Sequence, residues 1–530
     1  MKRFLAKMQR GFLRLELYWR LFKLNRQIAA YSKPSQENNP IVFFNASARL
    51  GGLNLNAAFS MLTAWGIQLT HTPVIHFACR SGMSHCVLGA GLGDPTAPPP
   101  CQVCIADTSR FTSSAPTAWF KFQDDLLLQN ELKDLRVAEM KNFTYQGRPL
   151  GNLVLPGLRW ILRRHHLKDN QTTRYLYREF ILSAHNIAQK FTDFLAEHEP
   201  RAVVVFNGLQ YPEATVRWVA QQHNIRVITH EVSFQPFSAF FTDGHATAYP
   251  IDLPEDFQLS ESQNKRLDAY LSQRFQGEFT MAGIRFWPEM RGLEDSFLRH
   301  AENFRQIVPV FTNVIFDTSQ LHANVVFPHM FAWLQTVVNL ARSHPKTLFV
   351  IRAHPDEMRK GKESQESVAA WVEERNLEEQ SNIIFVGSNE PLSSYELIQR
   401  SKFVMVYNSS IGLEATLLGV PVLCGGKARY TQYPTVFFPL SPVDYAQQAE
   451  DFITAEEIPV PKEFIDNARR FLYYQLYKVS LPFDKYLKEH PSPGYVQLKQ
   501  FAWQELLPER SIGMKTVVDG ILDGDEFVLP

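Results

Sequence analysis

The chain has 530 residues, 45% of them hydrophobic and 20% charged, the proportions of a globular protein with room for two or three domains. Its 54 Lys and Arg balance 54 Asp and Glu, which argues against the basic footprint of a nucleic-acid partner. Five cysteines in a chain of this length exclude a disulfide scaffold.

Residues 1–30 read as a helix. Phe4, Met8, Phe12, Leu15, Trp19 and Phe22 recur at three- and four-residue steps, among Lys2, Arg3, Lys7, Arg10, Arg14, Arg20, Lys23 and Arg26. No uninterrupted apolar run of a signal peptide is present, and no stretch reaches the roughly 18 apolar residues that span a bilayer. A cytoplasmic chain is therefore expected. A basic helix with an aromatic face suits peripheral contact with the inner face of an anionic membrane. The same periodicity also fits a helix whose aromatic face packs on its own protein.

A linker at 33–40 ends this first unit (1–38). Apolar runs at 41–44, 74–78, 202–206 and 226–229 then alternate with helical patterns at 175–198 and 213–223. Strands alternating with helices predict a parallel sheet covered on both faces, over a domain 39–295. Polar residues fall just past the strand ends: Asn45, then Asn207 and Gly208, then His230 and Glu231. Ligands of open α/β sheets bind at that carboxyl edge. The segment Arg49-Leu50-Gly51-Gly52-Leu53-Asn54 follows the first strand, and its paired glycines either admit a ligand close to the backbone or simply make the turn. Arg49, Gly51, Gly52, Asn54, Asn207 and Gly208 are the acceptor-side candidates. Cys79, Cys86, Cys101 and Cys104 could supply four thiolates to a structural zinc, or be reduced thiols; only the last two have C-x-x-C spacing, and no metal is assigned.

The pattern weakens over 252–299, a charged and helical stretch, and restarts with strands at 308–311, 348–351, 383–386, 403–406 and 421–423. Helical segments at 330–343, 364–375 and 411–418 separate them. A second doubly wound domain, 296–460, follows, with the junction near 285–305. The tail 461–530 reads as helical to about 489 and then Pro-interrupted, and is expected to cross back to the first domain.

Two segments carry the chemistry. His354, in Arg352-Ala353-His354-Pro355, lies just beyond a strand, and Pro355 restricts its backbone to an extended pose. There it can donate to a phosphate oxygen or satisfy a turn. In the second segment, Asn408-Ser409-Ser410 forms the turn between a strand and the helix at 411–418, where hydroxyls and unpaired N–H groups suit an anion. One N-capping serine explains one of these residues, but not Asn-Ser-Ser together with Gly412. Arg352 offers a bidentate phosphate contact or a strand-end ion pair. Glu414 either reaches a ribose or sits on the helix surface.

His-Pro followed by Asn-Ser-Ser-x-Gly-Leu-Glu-Ala, then Gly-Val-Pro-Val and a Gly-x-x-x-Tyr run, resembles the capsule polysaccharide biosynthesis family. That family includes bacterial Kdo transferases and is similar to the bacterial sialyltransferases with HP and Ser-Ser motifs. The resemblance covers about 305–440. It implies a GT-B fold, two Rossmann-like doubly wound domains facing a cleft, in which His354, Ser409 and Ser410 hold the donor nucleotide's phosphate. The acidic motif of the sialyltransferases has no clear counterpart here. Glu231 is therefore the first choice of catalytic base and Asp243 the second, each weighed against a structural carboxylate paired with an arginine.

The expected activity is transfer of a sugar, Kdo or a related acidic one, to a surface polysaccharide or lipid-linked acceptor. A CMP-sugar is the favoured donor and a UDP-sugar the alternative. No metal or other cofactor is expected, since protein donors can replace the cation and no Asp-x-Asp lies at a strand end. A nucleotide-sugar 2-epimerase of the same fold and a non-catalytic scaffold of polysaccharide assembly are the competing readings.

Overall fold

The computed structural model describes residues 2–33, 39–46, 52–87, 94, 96–276, 291–359 and 361–530, with only the backbone of 2–7 and 9. Two sheets organise it. The first is built from β1 (Ile41–Asn45), β2 (Val74–Cys79), β3 (Thr117–Phe120), β4 (Ala202–Phe206), β5 (Arg226–Val232) and β6 (Ser238–Thr242). The second comprises β7 (Gln306–Phe311), β8 (Thr347–Arg352), β9 (Ile383–Val386), β10 (Val404–Val406) and β11 (Val422–Cys424), all parallel, in the order β11-β10-β7-β8-β9.

Both sheets are buried on both faces, which is why their strands read as continuous apolar runs. Along β1, Val42 and Phe44 enter one core while Ile41 and Phe43 enter the opposite one, the two-residue alternation of a pleated strand. Leu348 and Val350 of β8 likewise face away from Phe349 and Ile351. Helix Gln171–His198 packs on one face of the first sheet; α1 (Lys2–Tyr31) and α2 (Leu55–Gln68) cover the other.

The tail differs from the expected long helix. Up to residue 489 it is helical only over Lys462–Tyr477, then extends as β12 (Leu481–Pro482), which joins the first sheet antiparallel to β6. Pro482 lacks the N–H that a helix interior requires, and it is tolerated here because β12 is an edge strand. A hairpin of β13 (Leu487–Glu489) and β14 (Val496–Leu498) and a helix Ile512–Leu522 complete the chain, Met514, Val517 and Val518 packing into the core beneath α2. The strands β3 and β6 also add to those expected.

In α1 the buried residues are Leu17, Leu21, Leu24 and Ile28, not the aromatic series. Met8, Phe12, Leu15, Trp19 and Phe22 point outward, so self-packing of the aromatic face is ruled out for these residues. No helix among the described residues is long and apolar enough to cross a membrane.

Candidate active site

The carboxyl edge of the second sheet gathers three turns. After β7, Thr312 donates through its backbone N–H and its hydroxyl to the Arg352 carbonyl, at 3.2 and 3.0 Å. The Asn313 side chain accepts the Asn408 N–H at 3.1 Å, and the Gln320 side chain donates to Asn408 Oδ1 at 3.0 Å. The turns after β7, β8 and β10 are thereby locked together, with Asn408 serving as a strut between them.

His354 follows β8 and opens a short 3₁₀ turn, Pro355–Met358, where its Nδ1 accepts the Asp356 N–H at 3.1 Å. A neutral ring with Nδ1 accepting carries its proton on Nε2. Burial holds the imidazole below its ordinary range, against the opposing pull of the Asp356 and Asp317 carboxylates, and so favours that neutral donor form. The turn is anchored from beneath by Glu357, whose carboxyl accepts the Val368 N–H and is pushed up to about 8 by burial.

Ser409 and Ser410 are half-buried on the turn after β10. Ser410 has helical backbone angles and its hydroxyl caps nothing, so the ordinary N-cap role does not account for it. Gly412 has a structural explanation instead: a Cβ there would lie 2.3 Å from the Tyr430 hydroxyl, which donates to the Ser409 carbonyl at 2.7 Å. Ser410 opens into a cavity of about 220 Å³ that also meets Phe234, Tyr270, Arg274, Glu414 and Arg429.

Glu231 ends the first sheet's contribution. It lies at the carboxyl end of β5, where its two oxygens accept from Asn207 Nδ2 at 2.8 Å and Asn56 Nδ2 at 3.4 Å. Asn207 and Gly208 both take left-handed backbone conformations, φ 59° and 79°, a sharp turn that swings the Asn207 side chain onto the carboxylate. Glu231 borders a second cavity of about 210 Å³, walled by Trp160, Asn207, Gln210 and Glu213 on one side and by Thr318 and Lys362 on the other. It therefore sits between the two sheets' edges.

Several candidates are placed elsewhere. Asp243 is not in the cleft: β6 runs antiparallel to β5, so the residue after it returns to the amino edge. There it forms a two-pronged pair with Arg226, at 2.9 and 3.0 Å. Arg352 is buried at the end of β8 and turns toward the neighbouring loop, donating to the Glu390 carbonyl at 3.2 Å, with burial lowering its pKa to about 10. Glu414 does not reach outward. It is buried between Arg274 at 2.6 Å and the Tyr395 hydroxyl at 2.5 Å. Asn54 caps α2 by accepting the Ala57 N–H at 2.9 Å, and Gly52 makes room for the Tyr495 ring, 2.7 Å from where a Cβ would stand. Arg49 and Gly51 lie outside the described residues.

Sequence reasoning missed Asn56, Gln210, Glu213, Lys362 and Arg429. Arg429 follows the Gly426 turn and stacks its guanidinium over Phe234 and Tyr249, at 4.6 and 4.9 Å from the ring centres. The Gly-x-x-x-Tyr spacing placed it one residue before Tyr430 and was its available signal. Burial holds the Cys79 thiol up at about 12, and among the described residues no group of three or more His, Cys, Asp or Glu is arranged for a metal ion.

Two Rossmann-like sheets with facing carboxyl edges define the GT-B class of α/β proteins. Residues 284–461, about a third of the chain, match the model of the family described as capsule polysaccharide biosynthesis protein. That match contains the whole second sheet, with His354, Ser409, Ser410 and Arg429, and agrees with the resemblance carried by the motifs. No curated protein sequence matches the chain. Among solved structures, the chain is similar to the KpsC β-Kdo 2,4 transferase of Thermosulfurimonas dismutans at 11% identity, covering 56% of this chain and 84% of that one with a TM-score of 0.35. The β-Kdo 2,7 transferase of the same KpsC aligns at 16% identity over 58% and 85%, with a TM-score of 0.32. The UDP-GlcNAc 2-epimerase of Neisseria meningitidis aligns at 12% identity over 82% and 97%, with a TM-score of 0.25.

Proposed function

We propose that the chain is a metal-independent glycosyltransferase of capsule-type polysaccharide synthesis. In this reading it moves Kdo or a related acidic sugar from a nucleotide donor, CMP-linked by preference, to a glycan or lipid-linked acceptor. The observation that carries the reading is the His354 and Ser409–Ser410 edge inside the family-matched segment, together with Glu231 in a cavity that Thr318 and Lys362 of that segment also line.

Glycosyl transfer needs a base for the acceptor hydroxyl and donors for the departing phosphate. Glu231 takes the acceptor proton as the new glycosidic bond forms, and Asn207 and Asn56 hold its carboxylate in place. The bond from the sugar to the nucleotide phosphate breaks toward the second sheet. There His354 Nε2–H and the two serine hydroxyls donate to the phosphate, and Arg429 supplies positive charge beside Ser410. Lys362, on the wall opposite Glu231, offers a counter-charge to an acidic sugar.

The test is thermal stabilisation by CMP, UDP, GDP and dTDP, with His354→Ala as control. A nucleotide at 100 times its Kd should stabilise by about 2.7 kcal/mol. Losing one hydrogen bond to a charged phosphate costs about 1.5–3 kcal/mol, roughly a 10- to 150-fold loss of affinity. Selective stabilisation by CMP that His354→Ala cuts by half or more supports the reading. A UDP preference reassigns the donor, and indifference to every nucleotide refutes it.

A further inference from the structure

We propose that α1 docks the protein on the surface of an anionic lipid bilayer, its outward apolar stripe entering the headgroup boundary. The helix is apolar on two opposite sides. Leu17, Leu21, Leu24 and Ile28 face the core, at most 9% exposed, whereas Phe12, Leu15, Trp19 and Phe22 are 67%, 66%, 63% and 65% exposed. Positions 8, 12, 15, 19 and 22 advance by three or four residues, so they form one continuous strip along the helix. Single exposed hydrophobics are ordinary; a contiguous strip of Met, Phe, Leu and Trp marks an interaction surface.

Charge selects the occupant. Residues 1–30 hold eight of the chain's basic residues and one acid, Glu16, which is paired with Arg20. The remaining 500 residues carry 46 basic and 53 acidic residues, a net negative body behind a strongly positive helix. An anionic surface attracts the helix and repels the rest, which orients the molecule with α1 against the lipid. A second copy docking the same strip would bring the Lys23 and Arg26 of each copy against those of the other, so an isologous dimer is opposed by the charge that favours a bilayer. Lys23 holds its ammonium 5.6 Å from the Trp19 ring centre, and Arg26 is exposed one turn beyond Phe22. Both long side chains border the strip, where their charges can reach headgroup phosphates while their stems lie along apolar surface.

The helix that carries the strip is joined to Glu231 by a short series of contacts. Arg20 of α1 donates to the Leu498 carbonyl in β14, Val496 of β14 pairs with Leu53, and Asn56 nearby donates to Glu231. That docking in this way presents a lipid-linked acceptor to Glu231 rests on the function proposed above.

The experiment is co-flotation of the full-length protein with vesicles of phosphatidylcholine alone and of phosphatidylcholine mixed with phosphatidylglycerol, without nucleotide sugar or acceptor. Binding to the mixed vesicles should exceed that to the neutral ones. It should fall by roughly 100-fold or more in Trp19→Ser/Phe22→Ser, and by roughly 10- to 100-fold in Lys23→Glu/Arg26→Glu. All four side chains are exposed, so circular dichroism and elution volume should match the parent. Equal binding to both vesicle types, or variants that float as well as the parent, overturns the proposal. So does a parent dimer that Trp19→Ser/Phe22→Ser converts to monomer, which would make the strip a self-association face. Nucleotide binding does not enter the assay, so its failure and failure of the transferase reading are separately visible.

Discussion

Replacing Arg274 by Met strands a buried carboxylate and so measures what the Arg274–Glu414 pair contributes to the fold. The guanidinium lies 2.6 Å from one Glu414 oxygen, and the two side chains are only 11% and 5% exposed. The Tyr395 hydroxyl donates to the other oxygen at 2.5 Å, which a single neutral donor cannot extend into compensation for a full charge. Breaking a buried pair from one side costs about 3–5 kcal/mol, because the remaining ion keeps its desolvation penalty without its partner. At about 2–4 °C per kcal/mol for a domain of 150–250 residues, the unfolding midpoint of the second domain should drop by about 6–20 °C. Calorimetry of the parent, Arg274→Met and Arg274→Met/Glu414→Gln reads this directly. The double variant removes the charge as well as its partner and should recover most of the loss. A drop below about 1 kcal/mol in the single variant, the range of an exposed pair, would refute the structural role assigned to Glu414.

Three further outcomes follow from the same geometry. Glu231→Gln should lower transfer by about 10²- to 10⁴-fold while leaving nucleotide stabilisation intact, and Asp243→Asn, at the far edge of the sheet, should leave transfer unchanged in the same product assay. Glu357 is held at about 8, above its ordinary 4.5, so the folded chain binds that proton more tightly than the unfolded chain. Its stabilising contribution is complete below about pH 4.5 and is lost as pH rises through about 8, an effect of a few kcal/mol. Glu357→Gln should flatten that decline in midpoint against pH, and an unchanged profile would contradict it. Ser410→Ala, which removes no capping bond, should weaken donor use by about 10-fold or more with little change in unfolding midpoint.

Strands buried on both faces announce themselves as apolar runs, which is why the central strands of both sheets are legible in the sequence. Thr117–Phe120 and Ser238–Thr242 carry only three apolar residues each beside hydroxyl residues, so pattern alone gives no way to separate them from loop. Missing β6 had a direct consequence for the site. Without that antiparallel strand, Asp243 reads as following β5 into the cleft, whereas the reversal carries it to the Arg226 edge. Glu414 and Gly412 show a different limit. A helix-start pattern of Ser, Gly and Glu suggests a ligand, but Tyr430, Tyr395 and Arg274 come from distant segments that no local spacing connects to it. For α1, periodicity located the aromatic strip, and only tertiary packing of Leu17, Leu21, Leu24 and Ile28 revealed which side faces out.

The central claim is acceptor-dependent transfer at the cleft between the two sheets. Its most direct test is mass-spectrometric detection of a glycosylated acceptor, together with free nucleotide, after incubating the protein with a CMP-linked acidic sugar and a capsule-type oligosaccharide. The account predicts a product that requires the acceptor and is lost in Glu231→Gln and strongly reduced in His354→Ala. Turnover of a nucleotide sugar without acceptor, giving an epimer in place of a glycoside, would contradict it.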